Sequence, residues 1–438
     1  MTTTAQTPRE ALGLEEHKSS HDISPGEISI GVIIGRTSEF FDFFVYAIAS
    51  VLVFPSVIFP NVDPLTGTLY SFGIFALAFI ARPFGSIAFM ALDRAAGRGV
   101  KLTVALFLLG GSTAAIAFVP TYETIGSNAA VLLAIFRLLQ GFALGGTWDG
   151  LASLLALNAP EGKRGWYAMI PQIGAPFGLL IASLLFAYMI AELPAADFLD
   201  WGWRYPFFVA LAINVVALFA RLRMVVTPEF ENLFESRDLQ PEPVAEMLSN
   251  NWRTVVAGAL APLASFALFH MVSVFPLSWT FLFTREEPTH FLLLESAAAA
   301  VGLVAVIFSG VLADKLGRRT LLGSCSVAIA IFAILAPLAL NAGAGGESLF
   351  LFIGFALLGL AFGQSSGVVA SGFTPEHRYT GSALTSDLAW LVGAGFAPLL
   401  ALALATHFGL WASGAYLLSG AVATLIALWW NKTLASKN

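Results

Sequence analysis

The chain is poor in charge. Of its 438 residues only 11% are Asp, Glu, Lys or Arg, whereas 57% are hydrophobic, and mean hydropathy is +0.80. A soluble domain carries roughly 25% charged residues, so a water-solvated globule is excluded, and with it any domain count based on length alone. Cysteine is nearly absent: the single thiol, Cys325, lies in an apolar stretch, so no disulfide framework can staple the fold. Histidine is scarce too. Of six, only His17 and His21 stand four apart, in a polar tail, and two such residues make no metal site without further ligands. With no nucleophile and base at a catalytic spacing and no basic reading domain, neither an enzyme nor a nucleic-acid-binding protein is expected, and no cofactor or metal. The first 27 residues are polar, without the short apolar core and small-residue cleavage site of a removable leader, and read as a disordered tail.

What the chain has in abundance is long apolar runs. They fall at about 30–54, 68–92, 102–119, 129–157, 166–190, 205–223, 254–283, 291–313, 320–340, 348–371, 380–405 and 409–430. Each is long enough to cross a bilayer and none alternates with period two, so the fold class is an all-α polytopic membrane protein with twelve helices rather than a barrel. Pro171, Pro176, Pro262, Pro276 and Pro398 fall inside these runs, where neighbouring helices can satisfy the freed carbonyls.

The basic residues give an orientation. Of 22 Lys and Arg, 17 lie in the tail, alternate loops and C-terminus, among them Arg98, Lys101, Arg221 and Arg318, while Arg204 and Arg285 occupy the opposite loops. By the positive-inside rule both termini are expected in the cytoplasm. The remaining three, Arg36, Arg82 and Arg137, fall well inside spans rather than at their ends.

The chain also repeats itself. D-R-A-A-G-R at 93–98 and G-V-L-A-D-K-L-G-R-R at 310–319 each follow the second helix of a six-helix half, and Gly97 and Gly317 are 220 residues apart. The longest charged stretch separates the halves. The expected organisation is a tail (1–27), a first half (28–223), a cytoplasmic linker (224–253), a second half (254–430) and a C-terminus (431–438). Parallel six-helix repeats are a transporter plan, with the substrate site near the bilayer midplane between them.

Particular segments carry a resemblance. The 310–319 loop is similar to that of the major facilitator superfamily. S-E-F-F-D-F-F-V-Y (38–46), A-R-P-F-G (81–85), P-T-Y-E-T-I-G (120–126), R-L-L-Q-G-F-A-L-G-G-T-W (137–148), P-Q-I-G-A-P-F-G (171–178), W-G-W-R-Y-P-F-F (201–208), T-P-E-F (227–230) and R-Y-T-G (378–381) narrow it to the metabolite:proton symporter family. The resemblance implies alternating access, proton-coupled uptake of small organic ions, and a cavity lined by helices 1, 4, 7 and 10. A metabolite exporter or an uncoupled or antiport carrier of the same fold, and more distantly a transporter-like sensor, stay open as alternatives. The chain departs from the family pattern at Asp93 and Arg94 (usually Gly and Asp), Arg36 (usually Asn), Thr147 and Asp149 (usually Glu and Gly), and Ser386-Asp387 (usually Tyr-Asn).

Ionisable residues within spans mark the expected site, because burying a charge there costs about 3 kcal/mol or more on insertion scales. Arg36, Glu39 and Asp42 are spaced three apart on one helical face, continued by Tyr46. Asp42 is expected ~18 Å deep and Arg137 ~12 Å from the opposite end, at depths that allow pairing. Glu39 or Asp42 is read as the proton carrier, and Arg137 with Arg36 as the attraction for an anionic group; a static ion pair between helices 1 and 4 is the alternative. His270 is read as a proton carrier or a helix-bridging group, Gln140, Gln172 and Gln364 as amides for substrate oxygens or for helix bridging, and Trp148, Trp279 and Trp390 as cavity walls or packing. Gly141/Gly145 and Gly174/Gly178 have the spacing of close helix contacts. The resemblance adds Gly310, Asp314, Gly317 and Arg318 as a conformational latch, with Asp93 and Arg98 as its altered counterpart. Lost Glu and gained Arg make the first half more cationic, which points to an organic anion as substrate. The expected partners are that substrate, protons and the lipid bilayer of a plasma (inner) membrane, and the expected working unit is a monomer.

Overall fold

A computed structural model describes residues 25–147, 155, 159–160, 162–225, 240–284 and 286–430. Twelve long helices organise them, and no strand occurs among the described residues. The first half contains α1 (Pro25–Leu52), α2 (Pro64–Ala96), α3 (Arg98–Ala117), α4 (Asn128–Gly146), α5 (Arg164–Glu192) and α6 (Tyr205–Val225). The second contains α7 (Leu263–Phe283), α8 (Pro288–Leu316), α9 (Arg318–Leu340), α10 (Ala344–Phe362), α11 (Pro375–Phe408 with interruptions) and α12 (Trp411–Trp430). Eleven of the described helices are long and apolar enough to cross a membrane. The other, α1, is as long but carries Arg36, Glu39 and Asp42, so its departure from apolarity locates the polar centre of the fold. The chain between the halves is helical from Val244 to Leu260, so the last part of the 224–253 segment leads directly into α7, and 226–239 lie outside the described residues.

Local sequence sets the helix ends. Asp63 caps α2 by accepting a hydrogen bond from the Thr66 amide, with Pro64 in the first turn where no amide hydrogen is needed. These bonds, first of all that from Thr66, hold the Asp63 carboxyl below its ordinary pKa. Gly97 and Gly317, at the ends of α2 and α8, both have φ of 85°, a conformation that disfavours any side chain. The sequence repeat is therefore also a repeat of backbone geometry.

Prolines mark where helices break. Pro171 lies in a 3-10 turn (Ile170–Ile173) within α5, Pro262 follows the Val244–Leu260 helix, and Pro276 follows a break at Val274 in α7. Pro398 comes just after a π-type turn, Trp390–Gly395, in α11. Such turns occur where a helix is diverted around a neighbour or a site. Here α5, α7 and α11 all border the central cavity. Close packing elsewhere depends on missing side chains. A Cβ on Gly141 or Gly145 would collide with the α2 backbone at Ala78 and Ser86, and one on Gly174 or Gly178 with α1 at Arg36 and Phe41.

The buried core is aromatic-rich and continuous between the halves, running through Phe40, Phe44, Phe75, Phe269, Phe362 and Trp390. Large apolar side chains such as Phe84, Phe107, Phe219, Ile334 and Leu338 face outward. In water that surface would drive aggregation; against lipid it is the expected exterior.

Candidate functional site

Where α1, α5, α6, α7, α10 and α11 meet, they line a narrow cavity, joined through shared walls at Arg36, Glu39 and Trp390 to a second lobe. Glu39 is its centre. Arg36, one turn back on α1, reaches Glu39 Oε2 at 2.6 Å, and Arg221 of α6 reaches Oε1 at 2.6 Å. Arg221 also donates to the Thr147 carbonyl at 3.1 Å. Its guanidinium lies across α1 because residue 35 is glycine: a Cβ there would come within 2.7 Å of Nη2. Arg36 stacks over the Phe40 ring, 5.0 Å from its centroid.

A second ion pair spans the halves. Arg82 of α2 meets Asp387 of α11 at 2.8 Å, and Ser86 donates to the same carboxylate at 2.5 Å. Trp390, one turn on from Asp387, sits 6.0 Å from the Arg82 guanidinium and packs against Phe266 at 4.8 Å.

Further along α1 lies a network closed off from the cavity. Asp42 is 2% exposed and accepts hydrogen bonds from Thr113 (2.7 and 2.8 Å), Gln140 Nε2 (3.2 Å) and Asn214 Nδ2 (3.2 Å), all neutral donors. Arg137 makes no ion pair with it. Its Nη1 donates to Gln140 Oε1 at 3.1 Å and its Nε to the Phe75 carbonyl at 3.2 Å, while the guanidinium lies 4.0 Å from the Tyr46 ring centroid. The expected Asp42–Arg137 pairing is thus corrected. Gln140, one turn on from Arg137, stands between the two and passes the interaction through its amide.

Residues 33–390 match the Major Facilitator Superfamily. The chain belongs to that superfamily. It is similar to the inner membrane metabolite transport protein YhjE of Escherichia coli (strain K12), 37% identical with 92% of this chain and 93% of the relative aligned. It is also similar to the shikimate transporter of the same organism, 31% identical with 90% and 91% covered. The crystal structure of a D-xylose-proton symporter superposes with a TM-score of 0.70 over 91% of this chain and 97% of the other, at 17% identity. The protein is a multi-pass integral membrane protein and a secondary transporter of metabolites, and not an enzyme.

Within this major facilitator the residues expected from sequence separate into groups. Arg36, Glu39 and Gln172 line the cavity, and Gln172 Oε1 is buried without a hydrogen-bond partner. Arg137, Tyr46 and Gln140 do not line it: they are buried behind Phe43 and Phe75, which places Arg137 away from any substrate in this conformation. His270 is fully buried with neither ring nitrogen hydrogen-bonded, stacked on Phe43 (5.0 Å) and edged by Phe75 and Phe269. The helix-bridging hydrogen bond expected of it is absent. Gln364 belongs to the loop contacts, donating to the Gly165 carbonyl at 3.1 Å and accepting from Arg318 at 3.3 Å, because α10 ends just before it and turns its amide toward α8. Trp279 packs between Phe275 and Phe283, away from the cavity. Trp148 lies outside the described residues, as does Asp149.

The two repeated loops are both occupied. Asp314 accepts from the backbone amides of Gly165 (2.6 Å) and Trp166 (3.1 Å) in the first turn of α5, completing unpaired donors and meeting the positive end of that helix. Gly310 allows this approach, since a Cβ there would lie 2.9 Å from Met169 and 3.0 Å from Trp166. Arg318 donates to the Gly367 carbonyl at 3.1 Å. In the other loop, buried Asp93 pairs with Lys101 (3.2 Å) and Arg98 (3.4 Å). Lys101 in turn donates to the Tyr379 hydroxyl of α11 at 2.6 Å. The departure from the family pattern at Asp93 therefore leaves a cross-half contact in place, made by different side chains.

Sequence reasoning missed Arg221, which it counted as an orientation-setting loop residue, and gave no role to Arg82 and Asp387. For Arg221 a signal was present. Asn214 and Arg221 are seven apart, on one helical face, and both meet α1 polar residues. For Arg82–Asp387 there was none, because the partners are 305 positions apart.

Proposed function

We propose that the protein is a proton-coupled symporter of a small organic anion, a carboxylate-type metabolite, working by alternating access in a plasma (inner) membrane, with the basic loops and both termini on the cytoplasmic face. The observation that carries the reading is the cluster of guanidiniums at the cavity: among the described residues those of Arg36, Arg82 and Arg221 gather there, beside the carboxylates of Glu39 and Asp387. Guanidiniums gathered in a low-dielectric cavity attract an anionic group. Arg36 and Arg221 supply planar donors that match a carboxylate, Gln172 Oε1 accepts from a substrate hydroxyl, and Phe266 with Trp390 encloses the apolar part. The relative named for shikimate, a carboxylate, supports this class.

Coupling follows from competition. A substrate carboxylate that engages Arg36 and Arg221 removes the cations that stabilise ionised Glu39, and in a water-poor cavity a proton replaces them. Departure of the substrate returns both guanidiniums to Glu39 and expels the proton. Asp42 offers a second carrier position. Thr113 Oγ1 lies within hydrogen-bond distance of both Asp42 and the Leu109 carbonyl, so its hydroxyl can donate to an ionised Asp42 or to Leu109 when Asp42 is protonated. The halves at 28–223 and 254–430 are the moving bodies, joined by 224–253. The Asp314 contacts and the Asp93–Lys101–Tyr379 chain hold the cytoplasmic side shut.

The test is substrate-induced alkalinisation outside sealed vesicles, measured with a panel of carboxylates, betaine and neutral sugars. Carboxylates alone are expected to give the signal, and a response to betaine or sugars with none to acids overturns the reading. Glu39→Gln is expected to keep counterflow of the active acid while abolishing the pH signal. Retention of that signal removes Glu39 as the proton carrier.

A further inference from the structure

The carboxyl of Glu295 takes no part in the cavity, the loops or any ion pair. It lies on α8, seven residues from Pro288 and 21 from Leu316, hence ~10 Å from the helix end opposite the basic loops and ~30 Å from the basic end. It is 0% exposed. Its one hydrogen bond comes from the Ser183 hydroxyl of α5 at 3.0 Å, and Oε1 has no partner. Since α5 belongs to the first half and α8 to the second, this bond crosses the seam that alternating access must open. Among the described residues, the titratable groups on the surrounding elements near this depth are Tyr188 and Glu192 on α5, Glu286 and His290 at the start of α8, and Glu347 on α10. None pairs with Glu295. Glu286 is bonded to His290, and Tyr188 and Glu192 are exposed. No charged residue lies on α9 or on α7 near this depth, and Arg285 lies outside the described residues. Toward the middle of the membrane, Leu179, one turn from Ser183, and Gly302, two turns from Glu295, border a small cavity with almost entirely apolar walls.

A fully buried, ionised carboxylate with a single neutral donor among the described residues is strongly disfavoured in such a place. Ionisation requires the seam to part, so that water reaches the group. We propose that Glu295 is a further proton-binding site of this transporter: protonated, it joins α8 to α5 through Ser183 and keeps the external side closed, and release of its proton to that side accompanies opening. Proton binding at this seam then favours closure on the external side, independently of the exchange at Glu39. The proposal rests on alternating access in the orientation given above, but on neither the substrate class nor the proton carrier of α1.

The experiment reads accessibility and protonation rather than uptake, so failure of the anion reading leaves it intact. In a Cys325→Ala background, Ala187→Cys places a thiol one turn from Ser183 toward the external side, at a position now 3% exposed. The full-length protein in sealed liposomes is treated from outside with a membrane-impermeant maleimide at stepped external pH. The expected result is modification that accelerates with pH at least tenfold more than that of an exposed reference cysteine, whose rate reports thiol ionisation alone, and Glu295→Gln, which mimics the protonated form, is expected to remove this excess and leave the slower rate. An unchanged pH profile in Glu295→Gln overturns the proposal. If that variant does not fold, infrared difference spectra between the pH extremes decide with the carboxyl intact: a carboxylic-acid C=O band that shifts in Ser183→Ala is expected, and a band that is absent or unmoved overturns it.

Discussion

The two halves meet the central cavity with different chemistry. The first half contributes Arg36, Glu39, Arg82 and Arg221, backed by the Asp42–Gln140–Arg137 network. The second presents Phe266, Phe362 and Trp390, with His270 sealed among rings and Asp387 as the charge reaching across. Helical repeats related by a common backbone plan have thus divided the work: one half holds most of the charge, the other offers aromatic walls with the hydroxyls of Ser365, Ser366 and Ser386. On the alternating-access reading, keeping charges on one body lets its ion pairs persist as the bodies move, since among the described residues the ion pair that crosses between the halves at the cavity is Arg82–Asp387. Their repeated loops show the same divergence. One uses a carboxylate on helix-terminal amides, the other a buried Asp–Lys–Tyr chain.

The largest effect on this division is expected at Arg221. Arg221→Ala leaves Glu39 with one cation and should lower uptake of the active acid by about 100-fold, in line with roughly 3–5 kcal/mol for breaking a buried pair. Initial rates in proteoliposomes measure it, with Arg221→Lys retaining the charge as a control. Rates within a few-fold of the parent would show that the charged half does not depend on this pair. A smaller effect is expected for the cross-half link. Thermal unfolding of Arg82→Ala, Asp387→Ala and the double variant should give a coupling of about 1–3 kcal/mol, and additive losses would dissolve the bridge between the halves. The smallest is expected at His270. His270→Phe replaces an unbonded ring by a similar apolar one, a change of at most about 1.5 kcal/mol, so uptake and its pH profile should be nearly unchanged. A lost or displaced pH profile would move proton chemistry into the aromatic half.

Much of the fold was legible because its cause is local. A span is about 20 apolar residues, and each can be counted without knowing its neighbours. The Gly97 and Gly317 loops were legible for the same reason, since a positive φ selects glycine wherever it occurs. The site was legible only in part. Arg36 and Glu39 could be paired from their spacing on one helix, and they do pair. Asp42 and Arg137 have suitable depths, yet Gln140 intervenes, and depth alone gives no lateral position. Arg221 sits near the end of an apolar run, so its place in the sequence suggested a loop although Gly35 draws it across α1.

The amino-acid sequence by itself determined that the protein lives in a bilayer, that its helices form two six-helix halves, and that few charges are left within the spans. The reason is that solvent transfer and backbone hydrogen bonding act residue by residue along a helix. Only the tertiary structure decided which of those charges meet. Arg82 with Asp387, Glu39 with Arg221, and Glu295 with Ser183 are each joined across more than a hundred residues. Such pairs are fixed by how helices are rotated and packed against one another, which no periodicity along a single helix encodes.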